Sequence, residues 1–298
     1  MTQNATKTSF ALSGVIGIID KSISQFDIAL EMGLRCVEIR ADLLHSAGLS
    51  NQDVIGLIAR IKSAGLACLY TLRHTDQGGT FNDDEQLRVS HCSQALDAGA
   101  DVIDLEHGTV ASMHMLQKSA PMILSYHNFI GMLDQPELAQ LTAAMEQQSP
   151  AAVKIIPTGK DLADAAAMMD WVSGACGQIL RIGFTMGEVG AVSRILALSV
   201  GSPITYASFG KPVAPGQVDM TQLLDQYNCQ QMNRHTKVIA LCGSRNQIDQ
   251  FISEHRHALA KKNSVCIGFS DSSVAVLKQY QQSMNLSEIV MLPSSAQA

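Results

Sequence analysis

The sequence has little charge and few aromatic residues. Only 16% of its 298 residues are Asp, Glu, Lys or Arg, 5% are aromatic and a single residue is tryptophan. The net charge of −6 argues against nucleic acid as the main partner, because phosphate binding requires a basic surface. No stretch approaches the roughly 18 uninterrupted apolar residues of a membrane span, so no membrane partner is expected. The polar start, Met1–Ser9, lacks the apolar run of a secretory signal.

Motifs for metal ions and disulfides are missing as well. The seven cysteines are scattered without a Cys-x-x-Cys pair, and the nine histidines form no His-Glu-x-x-His pattern. An odd number of cysteines within apolar runs is typical of reduced, buried thiols. We therefore expect a cytoplasmic protein without a metal site. The 46% of hydrophobic residues can form a large core, and the length fits two average domains or one α/β barrel with a small addition.

Short β-rich runs alternate with helical segments through the first 228 residues. The predicted strands are Val15–Ile19, Cys36–Asp42, Ala67–Arg73, Asp101–Glu106, Met122–His127, Ala151–Ile156, Gln178–Thr185 and Pro203–Phe209. A helical segment follows each of them, including short ones near Ser112–Lys118 and Asp219–Tyr227. Regular alternation implies parallel strands with right-handed crossovers. Eight repeats in about 215 residues favour a closed (β/α)₈ TIM barrel over an open sheet.

Residues 229–298 have a different charge balance. From residue 230 onward there are seven basic and four acidic residues, although the whole chain is acidic. The pattern is strand (Lys237–Cys242), helix (Asn246–Ala260), strand (Ser264–Phe269), helix (Ser273–Met284) and strand (Glu288–Leu292). We predict two domains, a barrel at 1–228 and a small βαβαβ appendage at 229–298. The apolar sheet of the appendage must be covered by another element.

Polar side chains gather where the predicted barrel strands end, which is where barrel enzymes carry their catalytic groups. Glu38, Arg40 and Asp42 alternate along the second strand and therefore point to one face. The others are Arg73 and Gln77, Asp104 and Glu106, Ser125 and His127, Lys154, Ser193 and Arg194, and Gln217. Charges rarely occupy a barrel interior unless they are paired, so a purely structural ion network is the alternative.

Lys154 is the strongest candidate for a catalytic residue. It is flanked by Val153 and Ile155 in a buried strand, so it faces the barrel interior. Desolvation and nearby cations lower the pKa of a lysine, and a neutral amine can attack a carbonyl to form an imine. His127, one strand earlier, could then act as a base, and Arg194 suits a substrate carboxylate. The alternatives are a paired or snorkelling lysine and an arginine on a helix surface.

Taken in order, these motifs resemble those of type I 3-dehydroquinate dehydratases over about residues 12–228. The matching motifs are Glu38-x-Arg40-x-Asp42, Arg73 with Gly78-Gly79, Asp104-x-Glu106, Ser125-x-His127, Val153-Lys154-Ile155, Met186-Gly187-Glu188-x-x-x-x-Ser193-Arg194 and Ala214-Pro215-Gly216-Gln217. The resemblance implies a TIM-barrel hydro-lyase of the shikimate pathway of aromatic amino acid biosynthesis. Such a lyase converts 3-dehydroquinate into 3-dehydroshikimate and water, and needs neither a metal nor an organic cofactor.

The resemblance also implies roles for the site residues. Lys154 would form the Schiff base with the C3 ketone, and His127 would be the general base at C2 and then the acid for the C1 hydroxyl. The substrate-binding residues would be Glu38, Arg40 and Arg73 at the ring hydroxyls, and Arg194 and Gln217 at the carboxylate region. The expected partner is the small molecule 3-dehydroquinate, and the expected state is a monomer or a homodimer.

Three positions depart from the family pattern. Gln77 stands where the family has an acidic residue, Val213 where it has a serine, and Gly17 where a serine lies on the first strand. Each lost hydrogen bond costs about 1–3 kcal/mol. A catalytically weakened barrel with a scaffold role, using the basic tail as its interface, therefore remains an alternative. Another alternative is an aldolase-type imine-forming barrel, which would need a phosphate site that the sequence does not offer after strands seven and eight.

The appendage resembles a truncated, degenerate start of the shikimate dehydrogenase half of plant-type bifunctional fusions. Leu223-Leu224-Asp225-x-Tyr227-Asn228 and Thr236-Lys237-Val238 carry this resemblance. The Ser-Lys-Ser-Pro motif of that enzyme is replaced near Asn246–Asp249, and Pro293 is not followed by the expected lysine. No dinucleotide-binding half follows, so we expect no shikimate dehydrogenase activity.

Overall fold

The computed structural model describes residues 10–109, 116, 121–175, 177, 179–210 and 216–293. The barrel strands are β1 (Gly14–Ile19), β2 (Cys36–Arg40), β3 (Ala67–Thr71), β4 (Val102–Glu106), β5 (Met122–Asn128), β6 (Ala152–Pro157), β7 (Leu180–Gly183) and β8 (Ile204–Ser208). They form one sheet in the order β7-β6-β5-β4-β3-β2-β1-β8. Each strand neighbours its predecessor and β8 returns to β1, which confirms the predicted (β/α)₈ barrel.

Helices separate the strands, and polar caps fix where several of them begin. They are α1 (Ser24–Glu31), α2 (Ala41–Ser46), α3 (Asn51–Ser63), α4 (Glu85–Asp97), α5 (Gln135–Glu146), α6 (Leu162–Ser173) and α7 (Gly190–Val200). Ser50 and Asp53 form a capping box at α3, and Asp134 and Glu137 form one at α5. Each box satisfies backbone N–H groups that a helix start leaves without partners.

Several elements of the structure differ from their predicted bounds. The predicted second strand ran to Asp42, but β2 ends at Arg40 and α2 begins directly after it. The predicted helix at Asp219–Tyr227 is a π-helical turn, Gln222–Gln226. The predicted helix near Ser112–Lys118 lies outside the described residues, apart from Leu116.

The barrel strands are buried on both faces. Every residue of β4, β6 and β8 is buried, because one face fills the barrel interior while the other packs under helices. Most of these side chains are apolar. The charged exceptions are Glu38, Asp104, Glu106 and Lys154, which lie on β2, β4 and β6. These exceptions mark the candidate site.

The chain divides into two compact units, each described separately below. The first contains the described residues of Met1–His127, Asp134–Lys154 and Gly177–Leu180. The second contains those of Asn128–Leu133, Ile155–Cys176 and Arg181–Ala298. Six cysteines in the described part of the chain are free and buried. No described helix combines the length and the apolar character that a membrane crossing requires.

A small parallel sheet, within the second unit, forms the end of the chain. Its elements are β9 (Lys237–Cys242), α8 (Arg245–Lys261), β10 (Ser264–Phe269), α9 (Val274–Gln279) and β11 (Leu286–Met291), with strand order β10-β9-β11. Leu241, Ile248, Ile252 and Cys266 form the buried cluster between α8 and the sheet. The predicted helix at Ser273–Met284 is shorter, since a 3₁₀ turn precedes α9 and residues 280–285 are turns.

Within the second unit this small sheet lies beside α6 and α7. The Ser283 hydroxyl donates to Asp170 on α6 at 2.7 Å, and the Asn285 amide donates to the Ser199 carbonyl on α7 at 2.9 Å. Leu277 and Met284 are fully buried on this side. Helices α6 and α7 therefore help to cover the appendage. The division into two domains at residue 228 stays a prediction.

Gly268→Ala should destabilise the appendage. A Cβ at this glycine of β10 would lie 2.5 Å from Ile248, inside the buried cluster. Overpacking of this kind costs about 1–3 kcal/mol, so we expect the free energy of unfolding in urea to fall by this amount. The matched control is Gly56→Ala at an exposed position of α3, where a Cβ meets nothing within 4 Å. That change should raise helix stability by up to about 1 kcal/mol. Equal stability of Gly268→Ala and the wild type would contradict the packing described here.

Candidate active site

The predicted site residues fall into both units. The first unit contains Gly17, Glu38, Arg40, Arg73, Gln77, His127 and Lys154. Electrostatic interactions link Lys154 to Glu38 and Arg73, and link His127 to Arg40, Arg73 and Lys154, so these side chains form one cluster. Gly17 lies on β1, paired with Val37 of β2. The second unit contains Arg194 and Gln217, and Val213 lies outside the described residues.

Lys154 projects from β6 into the barrel interior. Its side chain is 6% exposed, and its Nζ donates a hydrogen bond to Asp104 Oδ2 at 3.0 Å. Burial lowers the pKa of Lys154, and Arg73 lowers it further, while Asp104 and Glu38 pull it upward. The net direction is downward, which favours the neutral amine that a nucleophile requires.

Asp104 is the point where the buried charges converge. One of its oxygens accepts from Arg73 Nη2 at 2.8 Å and from the Ser125 hydroxyl at 2.6 Å, and the other accepts from Lys154. Burial alone would raise the pKa of Asp104. Arg73, Lys154 and the Ser125 hydroxyl outweigh burial and hold the pKa far below its usual range. Asp104 is therefore a fixed anion beside the lysine amine.

Glu106, two residues along β4, extends the network outward. Its Oε1 accepts from Arg73 Nη1 at 3.1 Å and from the His74 backbone N–H at 3.0 Å. Its Oε2 pairs with Arg88 of α4. Arg73 Nη1 also donates to Ser125 at 2.7 Å, so this guanidinium joins β4 and β5 to the end of β3. Its Nη1 and Nη2 atoms thus both bond to other side chains of the site.

His127 lies at the end of β5, and a neighbouring loop fixes its main chain. Its backbone N–H donates to Gln77 Oε1 at 2.7 Å. Burial, Arg73 and Lys154 lower the pKa of His127 well below its usual value, against the opposing effect of Asp104. The imidazole is therefore neutral at neutral pH, which is the form that can accept a proton.

Two adjacent glycines shape the loop that carries Gln77. Gly78 has a φ of +77°, in the left-handed region that favours glycine. A Cβ on Gly79 would collide with the main chain of Arg73. The loop closes where the Phe81 N–H donates to the Arg73 carbonyl at 3.1 Å. This tight path brings Gln77 back to the His127 main chain.

Arg40 and Glu38 extend the site along β2. Arg40 donates two parallel hydrogen bonds to Asp42, from Nε at 2.9 Å and from Nη2 at 2.8 Å. The Asp42 carboxylate also accepts from the Thr80 backbone N–H at 3.2 Å, which connects this pair to the loop of Gln77. Glu38 accepts from the buried Thr71 hydroxyl at 2.7 Å. Asp42 thus fixes the direction of the Arg40 guanidinium.

Arg194 is buried in the second unit, so its alternative as a helix-surface residue is wrong. Its guanidinium lies 4.2 Å from the centre of the Phe184 ring. Burial lowers the pKa of Arg194 to about 10, which leaves the side chain charged at neutral pH. Its neighbour Ser193 accepts the Thr185 N–H at 2.9 Å and holds the start of α7 on the end of β7. Gln217 is half-buried in the same unit.

Sequence reasoning named Asp104, Glu106 and Ser125 as strand-end polar residues but did not include them among the site residues. It missed Arg88 entirely. A signal for Arg88 was available, because Arg88, Cys92 and Ala95 share the buried face of α4 at helical spacing. A charged residue on such a face requires a buried partner of opposite charge.

This arrangement can perform covalent chemistry on a carbonyl compound. A buried amine of lowered pKa lies against a fixed carboxylate, and a neutral imidazole belongs to the same electrostatic cluster. Together these groups can form an imine and move a proton next to it.

Comparisons with known proteins find relatives named as 3-dehydroquinate dehydratases. A bifunctional 3-dehydroquinate dehydratase/shikimate dehydrogenase of Arabidopsis thaliana chloroplasts is 34% identical over 232 residues, which is 76% of this chain but only 38% of that protein. A 3-dehydroquinate dehydratase of Desulfotalea psychrophila is 31% identical over 65% of this chain and 89% of its own length.

One solved structure matches more of the chain. The dehydroquinate dehydratase and shikimate dehydrogenase of S. pombe has a TM-score of 0.60 and 18% identity, over 95% of this chain and 57% of that one. The family model described as type I 3-dehydroquinase matches residues 15–234, where the barrel and its strand-end motifs lie. The chain therefore belongs to the type I 3-dehydroquinase family, as the order of those motifs predicted.

Proposed function

We propose that the protein is a 3-dehydroquinate dehydratase, a hydro-lyase that converts 3-dehydroquinate into 3-dehydroshikimate and water through a Schiff base on Lys154. The observation that carries the proposal is the buried amine of Lys154 beside Asp104, in a chain of the type I 3-dehydroquinase family. The Desulfotalea psychrophila relative, matched over 89% of its length, has this activity in its name.

The first chemical step belongs to Lys154. Its neutral nitrogen attacks the C3 carbonyl carbon, and loss of water from the adduct gives a protonated imine. The lowered pKa of the Lys154 amine supports this role. Asp104, which lies 3.0 Å from the nitrogen, stabilises the positive charge that the imine carries. The imine itself is the electron sink, so the reaction needs neither a metal nor an organic cofactor.

His127 moves the protons of the elimination. Its neutral imidazole removes a proton from C2, and the C–H electrons flow into the imine to give an enamine. The electrons then return to expel the C1 hydroxyl, which takes the proton from the imidazolium and leaves as water. Hydrolysis of the remaining imine releases 3-dehydroshikimate and restores the amine. Gln77 supports this role because it holds the main chain of His127.

The other candidate residues bind the substrate in this proposal. Glu38, Arg40 and Arg73 hold the ring hydroxyls, and Arg194 and Gln217 hold the carboxylate region. The bidentate pair with Asp42 supports Arg40, because it fixes the guanidinium before substrate arrives. Arg73 also bonds Asp104, Glu106 and Ser125, so it orders the site as well as facing the substrate.

The remaining proposals concern the whole protein. We propose that it acts on this small molecule in the cytoplasm, as a monomer or a homodimer. We also propose that residues 229–298 are a degenerate form of the start of a dehydrogenase substrate domain, and that they carry no shikimate dehydrogenase activity because the Ser-Lys-Ser-Pro motif is replaced. The likeness to the bifunctional S. pombe structure supports this origin at the level of the fold, since it extends beyond the barrel.

The enone product of this reaction absorbs ultraviolet light, so turnover can be followed directly. Adding 3-dehydroquinate to the wild-type protein should raise the absorbance. Lys154→Ala and His127→Ala should each lower kcat by at least about 100-fold, because the first removes the nucleophile and the second the proton carrier. Borohydride should reduce the imine and add the substrate mass to the wild type but not to Lys154→Ala.

The same assay separates the alternatives. Borohydride trapping on Lys154 without any rise in absorbance would favour a weakened barrel with a scaffold role. Trapping only with a sugar phosphate would favour an aldolase-type enzyme. A folded wild-type protein that neither turns over nor traps 3-dehydroquinate would contradict the proposed function.

The neutral state of His127 predicts a specific loss of stability in acid. Its pKa is lowered in the folded protein, so the unfolded chain binds a proton at higher pH than the folded one. This contribution is fully present above about pH 6.5 and is lost as pH falls toward the folded pKa. His127→Gln should therefore flatten the dependence of unfolding free energy on pH, by up to about 1.4 kcal/mol per pH unit between pH 6 and 5. An unchanged dependence in urea unfolding would mean that His127 is not held neutral.

A further inference from the structure

Arg88 is a buried cation that the proposed mechanism does not use. It lies on α4, outside the barrel strands, and only 1% of its side chain is exposed. Its guanidinium pairs with Glu106 of β4, and the Glu85 carboxylate lies 3.8 Å away on the same helix. Burying a charge requires a specific partner, and the partner here belongs to the network that ends at Lys154.

The buried side chains form a line of alternating charge. Arg88 pairs with Glu106, Glu106 lies 3.1 Å from Arg73, Arg73 lies 2.8 Å from Asp104, and Asp104 lies 3.0 Å from Lys154. Each member is at most 6% exposed. A change of charge at Arg88 therefore alters the electrostatic potential at Lys154, because water screens these charges little.

Arg73 donates hydrogen bonds to the carboxylates of both Asp104 and Glu106. The position of Arg73 between them therefore depends on Arg88, which pairs with Glu106. Glu106 competes with Asp104 for the Arg73 guanidinium. Arg88 neutralises the second oxygen of Glu106, so Arg73 can stay on Asp104. Without Arg88, Arg73 would move toward Glu106. Asp104 would then be left to Lys154 and would hold its ammonium form more strongly.

We propose that Arg88 is a positioning residue that, through Glu106 and Arg73, keeps Asp104 from holding the proton on Lys154. The inference rests on the proposed use of Lys154 as the nucleophile. The other charged group with a large influence on the amine is Glu38 of β2, which pulls the pKa upward. His127 of β5 also interacts with the amine electrostatically. A substitution at position 88 changes neither of them.

Four variants test this line of charges. They are compared by the direction in which each shifts the pH at which Lys154 becomes reactive. Arg88→Gln removes a positive charge and should raise the pH at which Lys154 becomes reactive by roughly one unit. Glu106→Gln removes the competing carboxylate and should lower that pH. Arg88→Gln combined with Glu106→Gln removes a neutral pair and should leave it near the wild-type value. Arg88→Lys keeps the charge and should also stay near the wild type.

Two measurements report the effect. The first is the pH dependence of Lys154 labelling by a trace of acetic anhydride, quantified by mass spectrometry, which requires no turnover. The second is the acid limb of kcat/KM for 3-dehydroquinate, which should move in the same direction as the labelling midpoint. A one-unit upward shift would reduce kcat/KM about tenfold at a fixed pH below the limb.

The outcomes distinguish this inference from the proposed function. Opposite shifts in Arg88→Gln and Glu106→Gln support the inference, even if the wild type fails to turn over 3-dehydroquinate. That failure would overturn the proposed function alone. Shifts of the same sign in the two single variants, or a double variant that shifts as far as Arg88→Gln, would mean that Arg88 only packs the barrel. If Arg88→Gln does not fold, the downward shift of Glu106→Gln decides, and its absence overturns the inference.

Discussion

The carboxylate of Asp104 is the interaction on which the site depends. It accepts hydrogen bonds from Arg73 and Ser125 on one oxygen and from Lys154 on the other, which joins the ends of β3, β4, β5 and β6. Removing one partner from a buried pair typically costs about 3–5 kcal/mol, so each of these side chains is fixed by the others. The same contacts that hold the strands together thus place the amine and keep Asp104 ionised. Structural and chemical roles cannot be separated at this residue.

Gln77 contributes to the site through its amide oxygen. The side chain of Gln77 accepts the His127 backbone N–H, a role that needs an oxygen and not a charge. A neutral amide can therefore fix the main chain of the imidazole. The negative charge beside the cluster comes instead from Asp104, Glu106 and Glu38. The pKa of His127 depends first on burial and then on Arg73, Lys154, Asp104 and Arg40.

The barrel and its strand-end residues could be predicted from the sequence because both depend on local patterns. Alternation of Glu38 with Arg40, and of Asp104 with Glu106, indicates a shared face without any knowledge of neighbours. The ion-pair partner of a residue cannot be predicted in this way. Arg88 and Glu106 are 18 positions apart and meet only when α4 packs on β4. The end of β2 at Arg40 was missed for a similar reason. Asp42 bonds Thr80 of a distant loop, and no local pattern shows that the chain turns there.

The small sheet of the appendage depends on neighbouring helices to cover its two faces. Its strands β9 and β10 have the predicted bounds, since their apolar runs are short and clearly delimited. A three-stranded sheet of this size cannot cover both faces by itself, and α8 supplies one cover through Ile248 and Ile252. The other side gains Leu277 and Met284, together with hydrogen bonds to Asp170 and Ser199 on barrel helices. Helices α6 and α7 of the barrel thus stabilise the appendage within the second unit. This support gives a physical reason why so small a sheet can remain folded.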